Sequence, residues 1–333
     1  MIVCADGYII EVTGPYGART SDSDIVKLIL DNHDGPMEEA PMRWFLHPND
    51  VFVLDRGFRD CLPDLEGCGC NAYMPPSVGR NERQLSTIAA NKSRLITMVR
   101  WVVETINGTI KRDFKIFRHK YFNIALGNAM TDYRIAAALT NATHLTYEDS
   151  RFTEEFIEMI ERNRDRPNLL ADYVDEHHWD RQRIAFALMD ATNPNLSDFP
   201  RMDYDQLIVF AIGTYHVKLA RSYCCEHIRG TGVFSIEVFR HPERININNE
   251  ESTLIRCRIH SRHVGTRTYY CYVLYNTNRI SEYCCSCIHG RRTLGSCAHI
   301  ISIIYYLAWA RYQDDLMQPA VFLDHILIDI ENN

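Results

Sequence analysis

Two short cysteine pairings carry the most specific chemistry in the chain: Cys285-Ser-Cys287, then Cys297-Ala-His299. Three thiolates and one imidazole fill a tetrahedral Zn²⁺ shell and leave no position for water, so such a site is structural rather than catalytic. A second chemistry is offered by Asp55 and Glu104. Two hard oxygen donors held on rigid elements suit Mg²⁺ or Mn²⁺, which cleave phosphodiesters by polarising phosphate and activating water. Arg100 at i−4 and Asn107 at i+3 share a helix face with Glu104 and could hold a phosphate there. The ordinary alternative is that Glu104 pairs with Arg100 and Asp55 caps a turn through Arg56-Gly57.

Other cysteines and histidines compete less well. Cys68-Gly-Cys70 has no third ligand close behind it and reads as a loop pair. Cys284 and His289 are decoys beside the tetrad, because the Cys-x-Cys and Cys-x-His spacings favour Cys285, Cys287, Cys297 and His299. Neighbouring residues on a helix point about 100° apart, so His177-His178 and Cys224-Cys225 chelate one ion poorly. Most of the remaining cysteines are expected to be reduced and buried, as in an intracellular protein.

These residues need elements to hold them. A Cys-x-Cys pair places two sulfurs on one side of a strand end, and the Cys-x-His pair sits at the entry of a helix over Ile300–Leu307. Gly290 and Gly295 permit the tight return between the pairs. Asp55 follows Val51–Leu54, read as a buried strand presenting a carboxylate at its end. Glu104 lies in a helix expected over Leu85–Thr109. Upstream, Met1–Ala5 and Tyr8–Val12 form a hairpin at Asp6-Gly7, and Ser21-Asp22-Ser23-Asp24 caps a helix over Ile25–Leu30. Strand, strand, helix, strand, helix implies a mixed α/β sheet. Residues 146–205 read as acidic helices broken at Pro167, Pro194 and Pro200. One amphipathic helix is expected over Asp205–Ala220, then strands over Phe234–Val238, Leu254–Ile259 and Tyr269–Tyr275.

Charge is unevenly spread. The net charge of the 333-residue chain is −7, which argues against non-specific coating of DNA. Residues 91–120 nevertheless carry eight Lys/Arg against two acids, and residues 146–205 carry seven Arg against fifteen acids. The basic stretch reads equally as a solvated helix face or a phosphate-binding surface. Met1-Ile-Val-Cys4 is too short for a signal peptide, and the run around Ile300–Ala310 falls short of the ~20 residues that span a bilayer.

Gly14-Pro15-Tyr16, Asp22-Ser-Asp-Ile25, Phe52-Val-Leu-Asp-Arg-Gly-Phe-Arg-Asp60 and Arg100-Trp-Val-Val-Glu-Thr-Ile-Asn-Gly108 resemble the DDE endonuclease domain of Harbinger-type transposases, over about residues 1–145. The Cys-x-Cys…Cys-x-His unit, with Gly290-Arg-Arg-Thr293 inside it, resembles a SWIM zinc finger, over about residues 204–312. The first resemblance implies an RNase H-like fold with three catalytic acids. Asp55 matches the fourth-strand acid and Glu104 the helix acid. The first acid belongs to a strand expected ahead of Met1, because Asp6 falls in the hairpin turn and Asp22 matches a helix start outside the three. The resemblance therefore implies a nuclease domain lacking its first strand, as a truncated product or a domesticated remnant, and weak or inactive alone.

The expected organisation is a truncated RNase H-like domain over 1–145, an acidic helical spacer over 146–203 and a small α+β SWIM domain over 204–333, its finger core at 269–312. Expected cofactors are structural Zn²⁺ at Cys285, Cys287, Cys297 and His299, and Mg²⁺ or Mn²⁺ at Asp55 and Glu104 if the chain is active. Arg100 and Lys111 would contact DNA backbone. Arg291 and Arg292 either contact phosphate or are solvated, with the solvated reading favoured. The partners are DNA or protein, not membrane, and the expected location is intracellular, in the nucleus. The rival reading is a non-enzymatic zinc-binding interaction protein.

Overall fold

The computed structural model describes residues 1–31, 46–118, 127–143, 147–189, 196–227, 235–240, 245, 247, 252–261 and 267–313. Pro194 and Phe234, which marked expected boundaries, lie outside the described residues. The chain divides into two compact units, Met1–Pro76 with Lys92–Arg151, and Ser77–Asn91 with Phe152–Asn333.

The first unit begins with the expected hairpin, β1 (Ile2–Val3) and β2 (Ile9–Glu11). Its turn closes through the Cys4 amide donating to Tyr8 O at 2.8 Å and the Tyr8 amide donating to Asp6 Oδ1 at 3.0 Å. Gly7 is required there: its φ is +93°, and a Cβ would meet the Tyr147 ring at 2.8 Å. Helix α1 (Asp22–Asp31) starts as the polar run foretold. The Asp24 amide donates to Ser21 Oγ at 3.1 Å, and the Ser21 hydroxyl donates back to Asp24 Oδ2 at 2.7 Å, which satisfies orphan donors of the first turn. Next come β3 (Val51–Val53), a 3₁₀ turn (Arg56–Cys61), α2 (Leu62–Gly67) and β4 (Asn71–Tyr73). A 27-residue helix, α3 (Thr87–Asp113), which belongs to this unit from Lys92 onward, and α4 (Ala129–Thr143) follow.

Val51–Leu54 was expected to be a buried strand, and here the structure differs. β3 pairs in parallel with β4 as a two-stranded ladder, and Val51 is 62% exposed. Among the described residues of this unit, the strands form two separate two-stranded ladders rather than one sheet. Apolar side chains gather instead in two small cores. One joins Ile9 and Val12 to Val102, Ile106 and Ile110 of α3 and Ala136 and Ala137 of α4. The other joins Leu30 of α1 to Cys61 and Leu65.

The second unit is built on one antiparallel five-stranded sheet in chain order, β5 (Phe186–Met189), β6 (Ser235–Phe239), β7 (Thr253–His260), β8 (Thr268–Tyr275) and β9 (Ile280–Cys285). β7 and β8 contain the strands read over Leu254–Ile259 and Tyr269–Tyr275, β6 covers the described part of Phe234–Val238, and β9 is the strand at whose end the Cys-x-Cys pair was expected. Helices α5 (Thr153–Asn163) and α6 (Leu169–Glu176), in the acidic stretch read as a spacer, belong to this unit. Residues 205–220, expected as one helix, form two: α7 (Tyr204–Ala211) and α8 (Thr214–His227). The break has a backbone cause, since Ile212 takes a left-handed φ of 50° and Gly213 a φ of 128°. Helix α9 (Ala298–Ala308) closes the unit.

Strand alternation sends successive side chains to opposite faces. On one face Ile255, Cys257, Cys271, Val273 and Cys285 pack with Ile208, Val217, Ile300 and Ile304 of the helices. On the other, Leu254, Tyr272, Leu274 and Cys284 pack with Leu170 and Val174 of α6 and with Trp179. Beside this second core, Arg256 of β7 stands opposite Glu237 of β6 and donates to its Oε2 at 2.5 Å, with Arg256 only 2% exposed.

Candidate metal centre and carboxylate pair

Strand β9 delivers Cys285 at its last position, and Cys297 is the cap residue of α9. The ligand atoms of Cys285, Cys287, Cys297 and His299 all lie within 4.8 Å of one another. His299 Nδ1 stands 3.7 Å from Cys285 Sγ and 4.0 Å from Cys297 Sγ. Tetrahedral bonds of about 2.3 Å to sulfur and 2.0–2.1 Å to nitrogen would separate S and N by about 3.6 Å. The tetrad therefore fits a four-coordinate ion after a small contraction, and three sulfurs with one imidazole are the donor set that zinc takes.

Main-chain donors are already aimed at the sulfurs. The Cys287 amide donates to Cys285 Sγ at 3.4 Å and the Ile300 amide to Cys297 Sγ at 3.5 Å. Such outer contacts orient thiolates and spread their charge. Burial pushes the Cys285 thiol well above its ordinary value, and the hydrogen bond with Cys285 raises Cys287 likewise. Cys297 goes the other way. Burial opposes its ionisation, yet hydrogen bonds from Cys285, Cys287 and His299 hold it well below the usual thiol range.

The loop between the ligand pairs is held by Gly290, expected to permit its tight return, and by three side chains not singled out from sequence: Gln84, Asn91 and Asn168. Gly290 donates to Cys287 O at 2.9 Å and accepts the Cys285 amide at 3.0 Å. A Cβ at Gly290 would lie 1.9 Å from Cys285 O, so only glycine fits. The Gln84 amide donates to both knuckle carbonyls, Cys285 O and Cys287 O. Asn91, 1% exposed, accepts the Thr293 and Leu294 amides at 2.9 and 3.0 Å and donates to Arg164 O at 2.9 Å. Asn168 caps α6 and donates to Tyr283 O and Arg291 O at 2.9 and 3.1 Å. Asn168 had a readable signal, a cap residue directly after Pro167. Gln84 and Asn91 act across some two hundred residues and had none.

The decoys separate cleanly. Cys284 faces the opposite core from Cys285. The Cys224 thiol donates to Ser302 O at 3.2 Å in the core, and His177 stacks on Tyr173 with its Nδ1 at 2.9 Å from Tyr173 O. Arg291 is held by both Asp172 and Asp175, and Arg292 is buried with Nε donating to His289 O at 3.3 Å. Beside Arg291 opens a cleft of about 610 Å³ whose lining includes Glu82, Asp165, Asp172 and Asp175 against Arg83 and Arg291. Phosphate finds little welcome there.

The structure does bring Asp55 and Glu104 together, through Arg100. Arg100 Nη1 lies 3.3 Å from Asp55 Oδ2, and Nη2 lies 2.6 Å from Glu104 Oε1. Asp55 also caps the 3₁₀ turn, its Oδ1 accepting the Arg56 amide. Asn107 accepts the Tyr133 hydroxyl at 3.1 Å and takes no part. The guanidinium fills the position between the carboxylates, and no third acid joins them among the described residues. Two carboxylates so arranged do not fit the pair of metal ions about 4 Å apart that in-line phosphodiester displacement uses, and no catalytic step follows through them. The helix that carries Glu104 and Arg100 runs as expected, so the face was legible in the sequence. Its meeting with Asp55 was implied only by the family resemblance.

Among the described residues, no helix is long and apolar enough to cross a membrane. Residues 1–141 match the family model described as a DDE superfamily endonuclease. No curated protein matches the chain, and no solved structure does.

Proposed function

We propose that this is a transposase-derived protein in which an endonuclease-like part has lost, or nearly lost, phosphodiester cleavage, joined to a zinc-stabilised module of SWIM type. The carrying observation is the Arg100 bridge: the guanidinium supplies, between Asp55 and Glu104, the positive charge that a divalent cation would otherwise bring. The match of residues 1–141 to an endonuclease family supports the origin. In this reading Asp55 and Glu104 are the ancestral metal-binding acids of an RNase H-like domain, and the Cys₃His tetrad is a closed zinc site that contributes folding free energy rather than chemistry. DNA is the ancestral partner and the nucleus the expected location.

A second reading, that the zinc module recognises protein, has its own support. Arg291 is neutralised by Asp172 and Asp175 and Arg292 is buried, so neither loop arginine is offered to a phosphate. Plasmid DNA incubated with the purified chain and Mg²⁺ or Mn²⁺ tests the first reading; cleavage that disappears in Asp55→Ala would sink it. DNA binding across a salt series separates the two partners, since phosphate contacts weaken steeply with salt and no binding at low salt favours protein. Zinc analysis of Cys297→Ser tests the module: unchanged stoichiometry rejects the tetrad.

A further inference from the structure

Three cysteines lie in a row across the sheet. Cys257 of β7 stands opposite Cys271 of β8, and Cys271 stands opposite Cys285 of β9. The first two belong to none of the spacing patterns that marked the metal ligands. The Cys271–Cys285 position is the close kind of cross-strand pair. The neighbouring pair carries the ladder bond, Ser286 N–H to Tyr270 O at 2.8 Å, and the Cys285 amide turns away to Gly290 O. Pairs without ladder bonds have their Cα atoms about 4.5 Å apart, which brings the side chains nearest. The Cys271 thiol accordingly donates to Cys285 Sγ at a sulfur–sulfur distance of 3.5 Å, and Cys271 is fully buried. It is not among the ligand atoms that lie mutually within 4.8 Å.

A Zn²⁺ ion with three thiolates and a neutral imidazole carries one net negative charge, held here against an apolar core. Buried charge is stabilised by the donors around it. Cys297 Sγ receives one amide, whereas Cys285 Sγ receives both the Cys287 amide and the Cys271 thiol. We propose that Cys271 is a positioning residue of the metal centre: it stays a thiol and donates an S–H···S hydrogen bond to the metal-bound thiolate of Cys285. The proposal rests on the zinc reading of the tetrad. It assigns to the centre a fifth sulfur that binds no metal but fixes the orientation of one that does.

The test uses the full chain loaded with Co²⁺ as a spectroscopic substitute for zinc, in wild type, Cys271→Ala, Cys271→Ser and Cys257→Ala. Wild type and Cys271→Ala are expected to show sulfur-to-cobalt charge-transfer intensity for the same three thiolates. In Cys271→Ala the band moves to lower energy, and metal affinity falls roughly 10- to 100-fold, the range for lost outer-shell partners. Cys271→Ser keeps a hydroxyl donor and restores most of both, while Cys257→Ala, equally buried but one strand further away, leaves the band in place. Equal behaviour of the Ala and Ser variants, or loss of one thiolate's intensity in Cys271→Ala, overturns the proposal while leaving the metal centre standing. A wild-type chain that takes up no Co²⁺ overturns both. Should Cys271→Ala fail to fold, Raman spectra of the wild type decide: zinc loading must move a remaining S–H stretch to lower frequency, and an unmoved band refutes the hydrogen bond.

Discussion

A guanidinium 3.3 Å from Asp55 and 2.6 Å from Glu104 holds two negative charges together that would otherwise repel. Both carboxylates are more than half exposed, so water screens the triad and its share of stability is small. Arg100→Ala is therefore expected to cost under about 1 kcal/mol in a denaturant titration. The same substitution uncovers two carboxylates with no cation between them, and calorimetric titration with Mn²⁺ should show tighter binding than in wild type. Equal Mn²⁺ affinity in both chains would mean that Arg100 does not occupy the metal's place. The i, i+4 half of this triad could be read from the helix period alone. The half that reaches Asp55, 45 residues earlier, depends on how β3 and α3 pack, which no local pattern encodes.

At the level of elements, β8 was legible because its apolar and aromatic run over Tyr269–Tyr275 is uninterrupted, as a strand covered on both faces requires, whereas the apolar residues of β7 alternate with Arg256 and Arg258. The break between α7 and α8 was missed although Gly213 marked it, because the apolar period runs on through Ile212, whose left-handed backbone is uncommon for a β-branched residue. Cross-strand pairing sets a buried ion pair in the sheet. Glu237 and Arg256 face one another on β6 and β7, and Arg256 also donates to Trp179 O at 2.7 Å. Removing one partner strands a buried charge, so Glu237→Ala should lose about 3–5 kcal/mol in chemical denaturation. Replacing both with Met should recover much of that loss. A single variant as stable as wild type would show that water reaches the arginine freely.

Across the whole molecule, the Cys285, Cys287, Cys297 and His299 cluster was readable from spacing because groups that can hold one ion must be close in space, and here each of the two pairs is also close in chain. What the spacing leaves unsaid is which distant segments hold the loop, and those are Gln84, Asn91 and Asn168. The metal should act on one unit in particular. Cys285, Cys287 and Cys297 belong to the core that joins the sheet to α7–α9, whereas the core of Ile9, Ile106 and Ile110 contains no ligand. Stripping the ion with a chelator is expected to raise amide hydrogen exchange in residues 268–308 and to leave β2 and the α3 segment 102–110 protected. Uniform deprotection would contradict that assignment. Asn91 gives the arrangement a hereditary weak point. One base change in an asparagine codon yields aspartate, which keeps the acceptor for Thr293 and Leu294 but turns an anion toward the carbonyls of Asn163 and Arg164. A lineage that keeps the four ligands intact could thus lose the centre through a point mutation at a residue that never touches the metal.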